Sequence, residues 1–220
     1  MGLDFSLLGK YGPLLLKGLV LTVEICAMAL LAGTLLGLVL MLLASLRIRV
    51  LQALILGYVA FFRGTPLLIQ LFILYYGGPA FGVVLSAFGA GVLGLALYSS
   101  AYFCEIFRAG LESIPRGQIE AAQVVGLSRL QIFRTIQLPQ MMALVLPPMT
   151  NQSISLIKES SVLSVITVPE LTFLTTRMVT ETFAVVEPYL MLGLLYWALT
   201  GVVAQLGQQS ERALTRYLRQ

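Results

Sequence analysis

The sequence predicts an all-α membrane protein: five transmembrane helices carrying one cytoplasmic helix-turn-helix. Three observations support this. Of the 220 residues, 58% are hydrophobic and only 11% charged, and the mean hydropathy of +0.92 lies outside the range of soluble domains. The apolar residues are gathered into runs close to the roughly 20 residues that a helical span needs. A single polar stretch, 108–139, separates these runs and contains its own helix start and stop signals. The whole chain, 1–220, is read as one membrane domain.

The first apolar run, 18–46, ends at Arg47 and Arg49. Within it Gly33 and Gly37 form a small-xxx-small pair that would let helices approach closely, although such pairs are common by chance in Gly-rich apolar sequence. The second run, 50–76, is interrupted by Phe62-Arg63-Gly64-Thr65-Pro66. A charge, a glycine and a proline without a backbone donor predict a bent or broken span there. Tyr76-Gly77-Gly78-Pro79 reads as a turn, and the third span covers 83–107. The fourth run, 140–157, contains Pro147-Pro148 and passes directly into Asn151, Gln152, Lys158 and Glu159. This predicts a helix broken at the proline pair. The segment 160–181 has no clear assignment. A fifth span at 184–206 leads into a basic tail.

Orientation follows from the basic residues. With the N-terminus outside, five spans leave Arg47, Arg49, Arg108, Arg116, Arg129, Arg134, Arg212, Arg216 and Arg219 inside, against Lys10, Lys17 and Arg177 outside. Nine against three places the C-terminus and the 108–139 stretch in the cytoplasm. Histidine is absent, and Cys26 and Cys104 lie inside apolar runs. Those facts remove the usual zinc sites, Ser-His-Asp catalysis and a disulfide framework. The basic residues are scattered between spans rather than gathered on one face, so the net charge of +4 points to topology and not to nucleic acid.

In the polar stretch, Pro115 opens a helix over 116–125 and Gly126 is placed to end it in a left-handed conformation. Ser128 with Gln131 forms a capping box, and Leu127 with Ile132 has hydrophobic-staple spacing. The second helix should stop near Leu138-Pro139. A compact knob with small residues at Ala121 and Ala122 suits docking into a partner.

Glu120-Ala121-Ala122, Gly126 and Ile136-Gln137-Leu138-Pro139 keep the EAA-x3-G-x9-I-x-L-P spacing of the permease subunits of bacterial ATP-binding-cassette importers. The chain resembles that family over residues 10–215. The blocks Arg63-Gly64-Thr65-Pro66, Glu105-Ile106-Phe107-Arg108-Ala109-Gly110, Ile114-Pro115-Arg116-Gly117-Gln118 and Leu156-Ile157-Lys158-Glu159-Ser160-Ser161 are similar to the polar amino acid branch, that of histidine and glutamine permeases. The resemblance implies the type I importer permease fold in a bacterial inner membrane. It also implies a second permease, identical or paralogous, an ATP-binding subunit in two copies, and a periplasmic or lipid-anchored amino-acid-binding protein. ATP and Mg would belong to the ATPase subunit, with no cofactor on this chain and no enzymatic role for it. The residues agree, because no G-x4-GK[ST] loop is present: Gly9-Lys10 is followed by Tyr11.

The resemblance assigns coupling to Glu120, Ala121, Ala122, Gly126, Leu127 and Ser128; Glu120 either pairs with a basic group on the ATPase or sits on a solvated helix face. The substrate path follows from cost. A charge at mid-span costs roughly 2.5 to 3.5 kcal/mol, so Lys158 and Glu159 should face protein or a cavity. Asn151, Ser155 and Lys158 or Glu159 recur at helical spacing on one face. The expected substrate-binding set is Asn151, Gln152, Ser155, Lys158, Glu159 and Ser160, with Thr65 and Gln70 from the second span. Lys158 and Glu159 either meet the two charged ends of an amino acid or form an ion pair at an outer gate. Arg63 either lines the cavity or fixes the break in span two. The alternative function is an ion- or proton-coupled transporter or channel with Glu159 as its titrating group; such a protein has no use for a docking knob.

Overall fold

The computed structural model describes residues 6–46 and 48–218, so Arg47 and Arg219 of the charge count lie outside the described residues. Regular structure among the described residues is entirely helical: α1 (Ser6–Ala44), α2 (Arg49–Gly64), α3 (Leu67–Phe72), α4 (Ala87–Glu112), α5 (Arg116–Val124), α6 (Arg129–Ile132), α7 (Leu138–Glu159), α8 (Leu171–Thr182) and α9 (Val186–Leu218). Three stretches are long and apolar enough to cross a membrane: Gly9–Ala44, Ala87–Glu112 and Val186–Leu214. Two bent pairs bring the number to five if each is one span. Arg49–Gly64 meets Leu67–Phe81 at 108°, and Arg129–Ile166 meets Leu171–Thr182 at 52°.

The first helix is longer than expected, 39 residues with Pro13 inside it. At 1.5 Å per residue it measures roughly 58 Å, well beyond the roughly 30 Å hydrocarbon core. Its partner is α4, and the Gly33/Gly37 pair is their seam. A Cβ on Gly37 would stand 2.7 Å from Phe103 Cβ and 2.9 Å from the Ser100 carbonyl, and one on Gly33 would run into Ser99. Pairing of 33 with 99 and 37 with 103 makes α1 and α4 parallel, so a returning span must lie between them in sequence. The broken α2–α3 segment provides it.

Two expectations are corrected. The helix beginning at Arg129 does not stop at Leu138-Pro139, because a wide π-turn over Phe133–Gln137 carries it straight into α7. Leu138 N–H donates to the Phe133 carbonyl, and this wide turn ends where Pro139 brings no N–H to the ladder. Nor is α7 broken at Pro147-Pro148, since both prolines lie inside a continuous 22-residue helix. The two prolines leave the Ala143 and Leu144 carbonyls without their i+4 donors, and Thr150 Oγ1 and Ser153 Oγ donate to carbonyls further along the helix, those of Leu146 and Met149. Membrane helices tolerate proline where neighbouring helices pack around the break, and here α4 packs on α7 at Val145 and Met141. The unassigned 160–181 segment becomes a 3-10 stretch, Ser160–Ile166, and the short helix α8.

Candidate functional site

Pro66 ends α2 at Gly64, and the break exposes carbonyls that a continuous helix would have used. One side chain gathers them. Gln70 Nε2 lies 3.0 Å from the Phe62 carbonyl, 3.0 Å from the Thr65 carbonyl and 2.8 Å from Thr65 Oγ1, while Thr65 Oγ1 donates to the Phe61 carbonyl at 2.8 Å. Gln70 is 7% exposed, and its Oε1 is buried without a donor among the described residues. Gln70 and Thr65 therefore hold the break open from within the protein.

From this break a polar line runs along α4. The Arg63 guanidinium lies over the Tyr102 ring, 5.3 Å from its centroid, with Nη1 3.6 Å from Glu105 Oε2. Arg63 thus ties the end of α2 to α4. Arg108 grips Glu105 through Nε at 3.0 Å and Nη2 at 2.7 Å, and reaches Glu112 through Nη1 at 2.7 Å. In the other direction Tyr98 donates to Tyr102 at 3.2 Å, and the Glu159 carboxylate is close enough to act electrostatically on Tyr98. Tyr98, Tyr102 and Glu105 share one helix face by their spacing. Neither tyrosine stood out in the sequence, where an aromatic in an apolar run reads as core.

The α7 residues sit at the middle of the membrane-crossing part. Gly110 of α4 packs on Val145 and Met141, and Gly91 packs on Leu163, so 151–159 is level with the centre of α4. Asn151 and Lys158 are exposed in the protomer; Gln152, Ser155 and Glu159 are half-buried. The side chains of Asn151, Gln152, Ser155 and Lys158 make no hydrogen bond or ion pair among the described residues, and Lys158 and Glu159 do not pair with each other. Ser160 differs: it is buried and donates to the Ile157 carbonyl at 2.7 Å.

Ser160 belongs to a polar cluster that sequence reasoning missed. Its centre is Glu170, 0% exposed. Oε1 accepts from Phe173 N–H and Oε2 from Thr172 N–H, both at 2.8 Å, which caps α8; Tyr196 on α9 also donates to Oε2, at 3.1 Å. Cys26 of α1 and Ser160 complete the surroundings. The available signal was the N-cap pattern, an acidic residue directly before an apolar run.

At the end where α1 and α4 finish, the helix-turn-helix forms as the sequence indicates. Gly126 has φ +86°. Its N–H donates to the Gln123 carbonyl at 3.0 Å, and Leu127 N–H donates to the Ala122 carbonyl at 3.1 Å, a Schellman ending for α5. Both halves of the Ser128–Gln131 capping box are present, at 2.8 and 3.4 Å. Ala122 and Ile132 are buried beneath, whereas Glu120 and Ala121 are exposed. Val124 and Val125 at the tip are 88% and 81% exposed. These valines are the part of the knob that the sequence analysis overlooked. Two adjacent β-branched residues directly before a turn glycine, off the Ile119 and Ala122 side that α5 turns inward, were the signal.

Residues 21–216 match the family described as binding-protein-dependent transport system inner membrane component. The chain is 37% identical to the probable amino-acid ABC transporter permease protein YckA of Bacillus subtilis (strain 168), over 94% of this chain and 91% of that protein. With the arginine transport system permease protein ArtQ of the same organism it shares 35% identity, over 97% and 98% of the two chains. A crystal structure of an amino acid ABC transporter with histidines superposes with a TM-score of 0.90 at 36% identity, covering 97% of this chain and 100% of that one. Together with the bent spans and the capped knob between α4 and α7, these matches make the chain a member of the binding-protein-dependent transport system inner membrane component family.

Proposed function

We propose that this chain is the permease subunit of an ATP-binding-cassette importer for polar amino acids, with its N-terminus outside and its C-terminus in the cytoplasm. The observation that carries the reading is the knob itself. It is rigidly capped, ends in two exposed valines, and joins α7 through a helix continuous from Arg129 to Ile166. A closing ATPase groove that seizes Val124, Val125 and Glu120 would therefore move the α7 residues directly. ATP and Mg sit on two copies of that ATPase, and an external binding protein delivers the substrate.

A second permease, identical or paralogous, completes the pore. Asn151 and Lys158 support this, since polar groups exposed on a protomer at mid-membrane need a cavity or another chain, not lipid. Asn151, Gln152, Ser155, Lys158 and Glu159 form the substrate face, where Lys158 and Glu159 offer opposite charges to a carboxylate and an ammonium. Arg63, Tyr102 and Tyr98 line the approach from the α2 break, which Thr65 and Gln70 hold in shape. The relatives' names support an amino acid as the cargo. The test is competition for ATP-driven uptake by neutral, acidic and basic amino acids, in wild type and Gln152→Glu. The added carboxylate should shift preference toward cationic substrates; an unchanged ranking removes Gln152 from the substrate face.

A further inference from the structure

A cavity of about 460 Å³ opens between the ends of α1 and α4 and the start of α2, next to the knob, with Ser45 bordering both. Its volume falls in the roughly 300–1,000 Å³ range of small-molecule sites. The floor is apolar and closed: Met41, Ile55, Val59 and Cys104 are all buried. Leu56 at its side is exposed, as are Leu42 and Leu46 nearby, so the surrounding surface suits lipid rather than water. Ala44 is the last residue of α1 and Glu112 the last of α4. The mouth therefore lies where the spans end, at headgroup level.

The polar rim carries both signs. Arg108 uses three of its five N–H groups on Glu105 and Glu112, leaving two for an anion. Among the described residues Glu112 accepts only through Oε2, and its side chain is 62% exposed, which leaves Oε1 open there. Gln52 spends its Nε2 on the Ala44 carbonyl at 2.9 Å, and among the described residues its Oε1 remains as an acceptor. What the rim offers is a guanidinium for a phosphate and two acceptors for a donor cation, above an apolar trough.

We infer that this cavity binds one phospholipid with a primary ammonium headgroup, phosphatidylethanolamine, taken from the surrounding bilayer. Its phosphate accepts from Arg108, its ammonium donates to Glu112 Oε1 and Gln52 Oε1, and one acyl chain lies along Met41, Ile55 and Val59. A choline headgroup has no N–H to give to those acceptors, and a glycerol headgroup brings no cation to Glu112. Under the orientation proposed above this is an inner-leaflet lipid, but the chemistry of the site does not depend on that orientation.

The test is native mass spectrometry of the intact permease–ATPase complex from micelles containing equal amounts of phosphatidylethanolamine, phosphatidylcholine and phosphatidylglycerol. Phosphatidylethanolamine should be retained about tenfold over the other two, equivalent to about 1.4 kcal/mol. Glu112→Gln, which removes the charge but keeps an amide acceptor, should reduce that preference, and Ala44→Phe, which fills the trough, should reduce retention of all three. Melting temperatures close to wild type would show both variants to be folded. Equal retention of the three lipids, an undiminished preference in Glu112→Gln, or an empty cavity covered by the second permease would each overturn the inference. A failure of the orientation alone would show in cysteine accessibility and leave lipid retention unchanged.

Discussion

The phenol of Tyr196 on α9 donates to Oε2 of Glu170 across 3.1 Å, joining the last span to the fully buried cap of α8. No cation faces this carboxylate among the residues that contact it; two backbone N–H groups and a hydroxyl hold it. Glu170→Ala would leave those donors unpaired. A lost N-cap costs about 0.5–2 kcal/mol and each stranded buried donor about 1–3 kcal/mol. The variant should melt well below wild type in detergent, and Glu170→Gln, which keeps one acceptor, should fall between them. Equal melting of all three proteins would show that the cap contributes nothing.

The α1–α4 seam makes a steric prediction. Gly37→Val would push a branched side chain against Phe103, the Ser100 carbonyl and Cys104 N, which stand 2.7 to 3.0 Å from the position of its Cβ. Two of those three contacts are backbone and cannot rotate away. Overpacking of this kind costs about 1–3 kcal/mol, whereas Gly57→Val on α2, with nothing within 4 Å, should be far milder. Thermal unfolding of the two variants side by side checks the contrast.

Span number, the bent second span and the knob were legible because each depends on local chemistry: hydropathy, a Thr-Pro step, a turn glycine and a capping box. The continuity of α7 was not. Pro147-Pro148 and Pro139 are helix breakers by local rules, and only the π-turn and the packing of α7 on α4 around Val145 show how the helix passes them. Glu170 was hidden for a related reason. A single acid in an ambiguous segment gains meaning only when α1, α7 and α9 close around it. In the candidate site, Asn151 to Glu159 stood out as polar residues in an apolar run, while Tyr98 and Tyr102 became visible only through Arg63 and Glu159.

The break in the second span predicts a division of labour. Gln70→Leu removes the donor shared by Phe62 and Thr65, so it should lower stability by about 1–3 kcal/mol and reduce uptake of every substrate alike. Parallel melting and competition assays check this. A selective change for one class of amino acid would mean that Gln70 touches the substrate.

Topology gives a sharp contrast. Cys26 and Cys104 are buried, so a single introduced cysteine reports cleanly. Thr180→Cys should react with an impermeant maleimide in cells with a permeabilised outer membrane, and Gln123→Cys should react only after lysis. The reverse pattern would contradict the proposed orientation.

The central claim is that ATP hydrolysis on a partner drives transport through the knob. The decisive measurement is amino-acid uptake into proteoliposomes that hold the permease with its ATPase subunit, in wild type and in Val124→Asp/Val125→Asp. Both valines are exposed in the protomer, so the double variant should insert and fold normally. An interface anchor of this kind is worth about 2 kcal/mol or more. ATPase co-purification and ATP-driven uptake should therefore both fall by more than about tenfold. Undiminished uptake in the variant, or wild-type uptake that runs on a proton gradient without ATP, would contradict the account.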